Sequence, residues 1–193
     1  IMKSNKRIYT KYGDSGITNL LYGGRVSKSD LRCRGYGNID EACSTIGLAR
    51  ALSEDNKVKS ILKDLQHEMF VVGAELATDI NKYDKFLIHF SPVTTQMVDR
   101  LEKEIDNLES CITLPRSFII PGGSPASAAI DVARSIVRRA ERDAVGIRDM
   151  DQLTNIEILR YLNRLSDLLF ILARYQDRDL PIDQLKPSKD QLQ

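Results

Sequence analysis

The chain has 193 residues, of which 42% are hydrophobic and 28% charged, a composition ordinary for one globular domain. Its 28 lysines and arginines nearly balance its 27 acidic residues, and a net charge of +1 argues against a general nucleic-acid-binding protein. Three cysteines without a CxxC pair indicate a reducing compartment rather than a disulfide scaffold.

The chain opens with a glycine-rich segment. Seven of the 11 glycines lie in the first 47 residues, and positions 8–37 show no sustained hydrophobic period, which predicts loops. Asn38 is a suitable capping residue and predicts the start of the first helix. The apolar residues on the predicted core face of this helix are Ile39, Ala42, Cys43, Ile46, Ala49 and Leu52.

Apolar residues at helical spacing predict a second and a third helix. The second is expected over about 57–78, with Val58, Ile61, Leu62, Leu65, Met69, Val72 and Leu76 facing inward. Ser91 as a cap and Pro92 at the first helical position predict the start of the third. Its apolar residues are Val93, Met97, Leu101, Ile105 and Leu108.

The fourth helix carries the strongest start signal, because Gly122-Gly123 break the chain, Ser124 caps and Pro125 opens the helix, which runs to about 148. A fifth is predicted over about 154–176, with Ile158, Leu162, Leu165, Leu169 and Leu172 on its core face. Five amphipathic helices without an alternating strand pattern predict an all-α five-helix bundle in one domain, residues 1–177. The polar residues 178–193 are expected to form a disordered tail.

The fourth helix has two distinct faces. Its alanine-rich apolar face consists of Ala126, Ala129, Ile130, Ala133, Ile136, Val137, Ala140 and Ala144, and such small residues let a neighbouring helix approach closely. A second stripe carries the charged residues Asp131, Arg134, Arg138, Glu141 and Arg142, while Arg139 points elsewhere. The stripe is either a solvated face with ion pairs worth about 0.2–0.5 kcal/mol each, or an anion site built from guanidinium forks.

Other polar residues allow two interpretations as well. Asn163 lies within the fifth helix, where it either bonds a neighbouring helix or contacts a ligand. Residues 9–18 mix hydroxyls, Lys11 and two glycines, a composition that suits a phosphate-binding loop but also a plain turn. Phe118 is by default a core aromatic residue.

Several classes of site are not expected. The two histidines, His67 and His89, lie in unrelated contexts, so the sequence predicts no zinc site. The longest apolar runs are far too short to span a bilayer. The motif GxxxxGK[ST] is missing, so no P-loop is expected. No nucleic-acid or membrane partner is therefore predicted.

Six motifs in order resemble one family. They are Ile8-Tyr9-Thr10-Lys11 with Gly13-Asp14 and Gly16, Gly24-Arg25-Val26-Ser27-Lys28, Arg32 with Tyr36-Gly37-Asn38-Ile39-Asp40-Glu41, Phe118-Ile119-Ile120-Pro121-Gly122-Gly123-Ser124, Val132-Ala133-Arg134 with Arg138-Arg139-Ala140-Glu141-Arg142, and Leu162-Asn163-Arg164-Leu165-Ser166-Asp167. Across residues 8–175 the chain resembles the PduO-type ATP:cob(I)alamin adenosyltransferases.

The resemblance implies a five-helix bundle assembled as a homotrimer, with active sites between subunits. It implies transfer of the 5′-deoxyadenosyl group of ATP to cob(I)alamin, with release of triphosphate and with Mg²⁺ as the metal. The residues implied to hold ATP are Thr10, Lys11, Gly13, Asp14, Gly16, Thr18, Lys28, Arg138, Glu141, Arg142 and Asn163, with Glu141 as the metal ligand.

The resemblance also assigns residues to the cobalamin side. Phe118 matches an apolar wall beneath the corrin ring, where it favours four-coordinate cobalt, and Asp40 and Arg134 match positions that pair across the subunit interface. With Arg138, these form the implied catalytic set. Two departures concern cobalamin contacts: Asp131 stands where the family usually has histidine, and Cys43 where it usually has asparagine.

Two other functions stay open beside the adenosyltransferase. One is an adenosylcobalamin carrier or chaperone that delivers the cofactor to a B12-dependent enzyme such as a mutase or dehydratase. The other is a purely structural helical bundle whose arginine stripe is only a solvated surface. The expected compartment is the cytoplasm if the source is bacterial or archaeal, and the mitochondrial matrix if it is eukaryotic.

Overall fold

The structure is a computed structural model that describes residues 8–185. A hairpin of β1 (Ile17–Leu20) and β2 (Gly23–Ser27) comes first, followed by two long helices, α1 (Leu31–Leu52) and α2 (Asn56–Leu76). A 3₁₀ turn (Ile80–Lys82) leads into the short α3 (Tyr83–His89) and then α4 (Thr95–Glu109). The long helices α5 (Pro125–Asp149) and α6 (Glu157–Gln176) complete the bundle. Five long helices form the predicted bundle, and α3 is an unpredicted sixth.

The first helix begins eight residues before the predicted position, so the assignment of Asn38 as its cap is wrong. Asp30 caps α1 instead, since its Oδ1 accepts the Arg32 N–H at 2.8 Å. Asn38 lies inside the helix, where its Nδ2 donates to Asp143 Oδ2 at 2.6 Å and its Oδ1 accepts from Arg139 Nε. Its amide therefore joins α1 to α5 and is unavailable to a helix terminus.

The predicted start of the third helix is also wrong, while that of the fourth is confirmed. Thr94, not Ser91, caps α4 by accepting the Met97 N–H at 3.3 Å. Val93 stays outside the helix because its N–H donates to the buried Glu75 carboxylate at 2.7 Å. Ser124 caps α5 as predicted, in a reciprocal capping box with Ser127.

The hairpin contradicts the prediction that the N-terminal segment contains no strand. β1 and β2 pair antiparallel, with Ile17 opposite Ser27, and a bulge follows Asn19. Only Leu20 of the two strands is buried, so the sequence carries no period of two that could have revealed them. Leu21 joins the hairpin to the end of α2, because its N–H donates to the Ala77 carbonyl at 2.7 Å.

The core lies between the long helices, and its most extensive helix contact is between α1 and α5. A Cβ added to Gly146 would lie 2.9 Å from a methyl carbon of Leu31, so the backbone of α5 approaches α1 directly. The predicted alanine-rich face of α5 is confirmed as buried along its whole length. Leu52 is an exception among the predicted core residues of α1, since it ends the helix and is 45% exposed.

The C-terminal segment departs from the expected disorder as far as Leu185. It runs beside the loop between α4 and α5, where the Ile120 N–H donates to the Asp183 carbonyl and the Leu185 N–H donates to the Phe118 carbonyl, both at 2.9 Å. The remainder of the expected tail, 186–193, lies outside the described residues. Among residues 8–185, no helix is both long and apolar enough to cross a bilayer.

Candidate active site

The hairpin and the loop before it form a cleft of about 680 Å³ that contains four of the predicted nucleotide-binding residues, Thr10, Gly13, Thr18 and Lys28. The Lys28 side chain lies directly over Gly13, because a Cβ added to that glycine would be 2.8 Å from Lys28 Nζ. A side chain at position 13 would therefore displace the Lys28 ammonium group. Arg25 and Tyr12 line the cleft as well, so it combines two cations with three hydroxyls, a set of donors suited to phosphate oxygens.

The loop that floors this cleft is a compact turn. Lys11 and Gly16 adopt positive φ values of 63° and 76°. The Asp14 N–H donates to the Lys11 carbonyl and the Gly16 N–H to the Gly13 carbonyl, so these two amides are already used within the turn. Thr18 also lies close to the Tyr36 hydroxyl of α1, which places the cleft against the bundle. Burial and the Cys33 thiol raise the pKa of Tyr36 to about 12.

A second group of predicted residues lies along α5. Arg134 and Arg138 line a groove of about 600 Å³ between α4, α5 and α6, together with the acidic residues Glu102, Asp106, Glu109 and Asp167. The Arg138 side chain is exposed, and within residues 8–185 it makes no hydrogen bond or ion pair. Arg142 folds back along the helix, with Nη1 donating to the Arg138 carbonyl at 3.1 Å. Two guanidinium groups thus lie one turn apart at the surface.

Glu141 and Asn163 meet between α5 and α6, where Asn163 Nδ2 donates to Glu141 Oε1 at 3.1 Å. The sequence allowed Asn163 either to bond a neighbouring helix or to contact a ligand, and the structure shows the bond to a neighbouring helix. Both residues line a third cleft of about 360 Å³, with Arg148, Arg160 and Arg164 at its edge. The bond leaves Glu141 Oε2 without a partner in the described part of the chain, and hence able to accept a ligand.

The residues assigned to the cobalamin side are at the surface. Asp40 is exposed on α1 and has no hydrogen bond or ion pair among residues 8–185. Phe118 is 82% exposed in the loop between α4 and α5, so the default assignment to the core is wrong. Beside it lies a cavity of about 490 Å³ lined by 119–123 and by Arg174 and Asp177 of the α6 terminus.

The predicted residues therefore occupy several separate places on one chain. In the described region, no hydrogen bond or ion pair joins the hairpin cleft to the arginines of α5, or Asp40 to Arg134. Among these residues there is also no cluster of three or more histidine, cysteine, aspartate or glutamate side chains that could hold a metal alone.

The structure corrects the predicted position of Asp131 on α5. Helical geometry assigned it to the open charged stripe, but it is only 5% exposed. It accepts from Arg134 Nε at 3.3 Å and pairs with Arg174 of α6, which is 7% exposed. A carboxylate at the border of an apolar helix face, opposite an arginine on the next helix, is the signal that could have revealed the pair.

A second polar network was also missed. Asp143 of α5 is 6% exposed and bonds Arg34 at 2.9 Å and Asn38 at 2.6 Å, both on α1. Arg32, one of the motif residues, is buried and donates to the Leu76 and Thr78 carbonyls at 3.1 Å each. Burial lowers the pKa of Arg32, opposed by Asp30 and Asp79. These hydrogen bonds hold α1 against α5 and α2. They therefore also hold in place the end of α2, which contacts the hairpin.

Comparison with known proteins places the whole described bundle in one family. The family model described as cobalamin adenosyltransferase matches residues 8–176. A corrinoid adenosyltransferase of Mycobacterium tuberculosis is 42% identical over 178 residues, covering 90% of this chain and 90% of the relative. A corrinoid adenosyltransferase of Bacillus subtilis is 41% identical over 172 residues, covering 87% and 85%.

The solved structures agree with the sequence relatives. A phenylalanine-to-alanine variant of a PduO-type ATP:corrinoid adenosyltransferase from Lactobacillus reuteri, complexed with cobalamin and ATP, superposes with a TM-score of 0.86 at 33% identity. That match covers 94% of this chain and 100% of the other. An arginine-to-lysine variant of the enzyme from the same organism, complexed with ATP, matches with a TM-score of 0.80 at 32% identity.

Proposed function

The chain belongs to the cobalamin adenosyltransferase family, and we propose on this basis that it transfers the 5′-deoxyadenosyl group of ATP to cob(I)alamin. The cobalt(I) centre is the nucleophile. Its electron pair forms the new bond to the 5′ carbon, the carbon–oxygen bond breaks, and triphosphate leaves with that bond's electrons. The products are adenosylcobalamin and triphosphate, and the protein itself supplies no covalent nucleophile.

The observation that carries the proposal is the hairpin cleft, where Lys28 lies over Gly13 and the hydroxyl residues Thr10 and Thr18 belong to the same lining. A leaving triphosphate carries several negative charges, and preorganised cations lower the energy of the state in which that charge develops. Lys11, Asp14 and Gly16 complete the loop and orient the cleft. This segment binds the ATP phosphates in the proposed enzyme.

Arg138, Arg142, Glu141 and Asn163 form the other half of the proposed ATP site. The exposed guanidiniums of Arg138 and Arg142 neutralise phosphate oxygens. Glu141, oriented by Asn163, would hold Mg²⁺ through its free oxygen; Mg²⁺ commonly binds one or two carboxylates plus substrate phosphates, which fits a single carboxylate here. When bound, the metal neutralises charge on the leaving triphosphate.

The two halves of the ATP site come together if the protein is a homotrimer with its active sites between subunits. On the cobalamin side, Arg134 pairs with Asp40 of the partner subunit, and Phe118 excludes the lower axial ligand of cobalt. The exposure of Asp40 and Phe118 in the single chain supports this assignment. The product would pass to a B12-dependent mutase or dehydratase, and the bacterial relatives favour the cytoplasm as the compartment.

An anaerobic assay with chemically reduced cobalamin, ATP and Mg²⁺ tests the function, with the absorbance change on formation of the carbon–cobalt bond as the readout. Arg138→Ala removes an unpaired guanidinium of the proposed phosphate site and should lower kcat/KM for ATP about 100-fold. Arg139→Ala is the matched control, because Arg139 lies on the same helix but bonds Asn38 and Glu41 on α1. It should leave kcat/KM unchanged.

Two outcomes would contradict the proposal. Absence of adenosylcobalamin formation by the unaltered protein would exclude the transferase, and cobalamin binding without triphosphate release would favour a carrier. Equal losses in Arg138→Ala and Arg139→Ala would remove Arg138 from the phosphate site.

A further inference from the structure

Asp131 bridges two arginines from inside the bundle. Its Oδ1 accepts from Arg134 Nε at 3.3 Å, and its Oδ2 accepts from Arg174 Nη2. Asp131 and Arg174 have side chains that are each 6% exposed, whereas the Arg134 side chain is 28% exposed. The bridge therefore runs from a buried anchor on α6, through a buried carboxylate on α5, to an arginine at the surface.

The bridge determines which atoms Arg134 can offer to a ligand. A guanidinium has five N–H donors in a planar fork, and bonding through Nε leaves both terminal nitrogens pointing away from that bond. Within residues 8–185, neither terminal nitrogen of Arg134 has a hydrogen-bond or ion-pair partner. Arg134 is one of the residues that line the groove between α4, α5 and α6, and its terminal nitrogens remain available as a pair of donors.

We propose that Asp131 is a positioning residue that fixes the Arg134 guanidinium by its Nε, so that its terminal nitrogens face the cobalamin side of the active site. The inference rests on the proposed function. It adds a residue that touches neither substrate but sets the direction of the Arg134 guanidinium, which pairs with Asp40 of the partner subunit in the proposed site.

Arg174 supports this role from behind. It holds the carboxylate on α6, and its guanidinium carbon lies 5.4 Å from the centre of the Phe170 ring. Asp131 therefore has one carboxylate oxygen fixed by a buried partner and the other committed to Arg134. Without the negative charge, two neighbouring guanidiniums would lose their shared counter-ion, and the Arg134 guanidinium would lose the bond that fixes its direction.

The test separates kinetics with respect to the two substrates. Asp131→Asn removes the charge while keeping the size, and should lower kcat/KM for cobalamin by about 10- to 100-fold, the scale expected when a catalytic group is displaced. The KM for ATP should change by less than about twofold, because the phosphate-binding residues do not contact the bridge. Asp143→Asn is the matched control: this aspartate lies on the same helix, is equally buried and also bonds two side chains. Asp143→Asn should lower the midpoint of thermal unfolding. It should leave both kcat/KM for cobalamin and the KM for ATP unchanged.

A double-mutant cycle identifies the residue through which Asp131 acts. In an Arg134→Ala background, Asp131→Asn should change kcat/KM for cobalamin by less than about twofold, because the group it positions is gone. If Asp131→Asn does not fold, Asp131→Glu replaces it. That variant keeps the charge but displaces the carboxylate by one methylene, and should produce the same selective loss for cobalamin.

Three results would overturn the inference: a loss that affects ATP and cobalamin alike, a loss that persists in full in the Arg134→Ala background, or the same selective loss in Asp143→Asn. Failure of the unaltered protein to make adenosylcobalamin is a separate result, since it would refute the proposed function before any variant is compared.

Discussion

Gly13 and Lys28 define the hairpin cleft at the scale of single atoms. The ammonium group occupies the space where any side chain at position 13 would begin, and a Cβ there would be 2.8 Å from Nζ and 3.0 Å from Cε of Lys28. Lysine has a long flexible stem, so it would move aside at little cost in stability. The glycine therefore matters for the direction of the charge rather than for folding.

Gly13→Ala should accordingly raise the KM for ATP about tenfold, because displacing one phosphate-binding cation weakens one charge-assisted contact. The free energy of unfolding should change by less than about 0.5 kcal/mol. Steady-state kinetics and denaturant unfolding measure the two quantities.

Gly37→Ala is the matched control for this substitution. Gly37 is exposed on α1 and has no atom within 4 Å of an added Cβ. The alanine should stabilise the helix by up to about 1 kcal/mol and leave the KM for ATP unchanged. An unchanged KM in Gly13→Ala would mean that Lys28 does not bind the nucleotide.

At the scale of elements, the helix caps decide where each helix begins. Asp55 caps α2 by accepting the Lys57 N–H at 2.8 Å and the Val58 N–H at 3.1 Å, and it pairs with Arg178 at 2.9 Å. Burial would raise the pKa of Asp55, but these hydrogen bonds and Arg178 lower it below its ordinary value of 3.8. The ionised carboxylate thus stabilises the native state above pH 3.8, and this contribution is lost as pH falls through the lower native pKa.

Asp55→Asn tests this charge, because asparagine caps a helix about as well as aspartate. The variant should lose up to about 1 kcal/mol of unfolding free energy at pH 7. It should lose nothing at a pH below the native pKa of Asp55, where the wild-type carboxyl is also neutral. Urea unfolding at the two pH values measures the difference.

Asp30→Asn serves as the comparison, since Asp30 caps α1 and makes no ion pair within residues 8–185. Its unfolding free energy should change by less than about 0.5 kcal/mol at either pH. A loss at Asp55 that is independent of pH would show that the cap's geometry, not its charge, is what the substitution removes.

The caps also show why element boundaries were only partly predictable. The sequence predicts Ser124 as the cap of α5, because the double glycine before it and the proline after it leave only one possible start for the helix. Asn38 and Ser91 have equally suitable side chains, yet Asn38 is used by α5 and the chain near Ser91 is held extended by the buried Glu75. Whether a polar side chain caps a helix depends on competing partners that are distant in sequence.

At the scale of the whole molecule, the bundle and its buried faces followed from hydrophobic period, because long helices must bury their apolar stripes. The hairpin could not be predicted from a hydrophobic period, since its strands are mostly exposed. The site was predictable as a set of residues only through the resemblance to a family. Its geometry was not: helical angles placed Asp131 at the open stripe, and only the arginine on α6 explains why it is buried.

The separation of Asp40 from Arg134 leads to a prediction about the assembly. If the protein is a homotrimer and these residues pair across its interfaces, each active site takes Asp40 from one subunit and Arg134 from the next. Asp40→Ala and Arg134→Ala proteins should each lose most of their activity. In a trimer that contains both variants, the Arg134→Ala subunit still has Asp40 and the Asp40→Ala subunit still has Arg134. An active site is intact where the first of these subunits supplies Asp40 and the second supplies Arg134.

Co-folding the two variants in equal amounts should therefore restore about a quarter of the sites, because each position in a cyclic trimer is filled independently. Mixing the separately folded proteins without dissociating them should restore nothing, and this is the control. Co-folding Asp40→Ala with a chain that carries both substitutions should also restore nothing, since no intact Asp40 remains. Activity regained in the first mixture alone requires that the two residues act from different subunits, whereas its absence would place both in a site built by one chain.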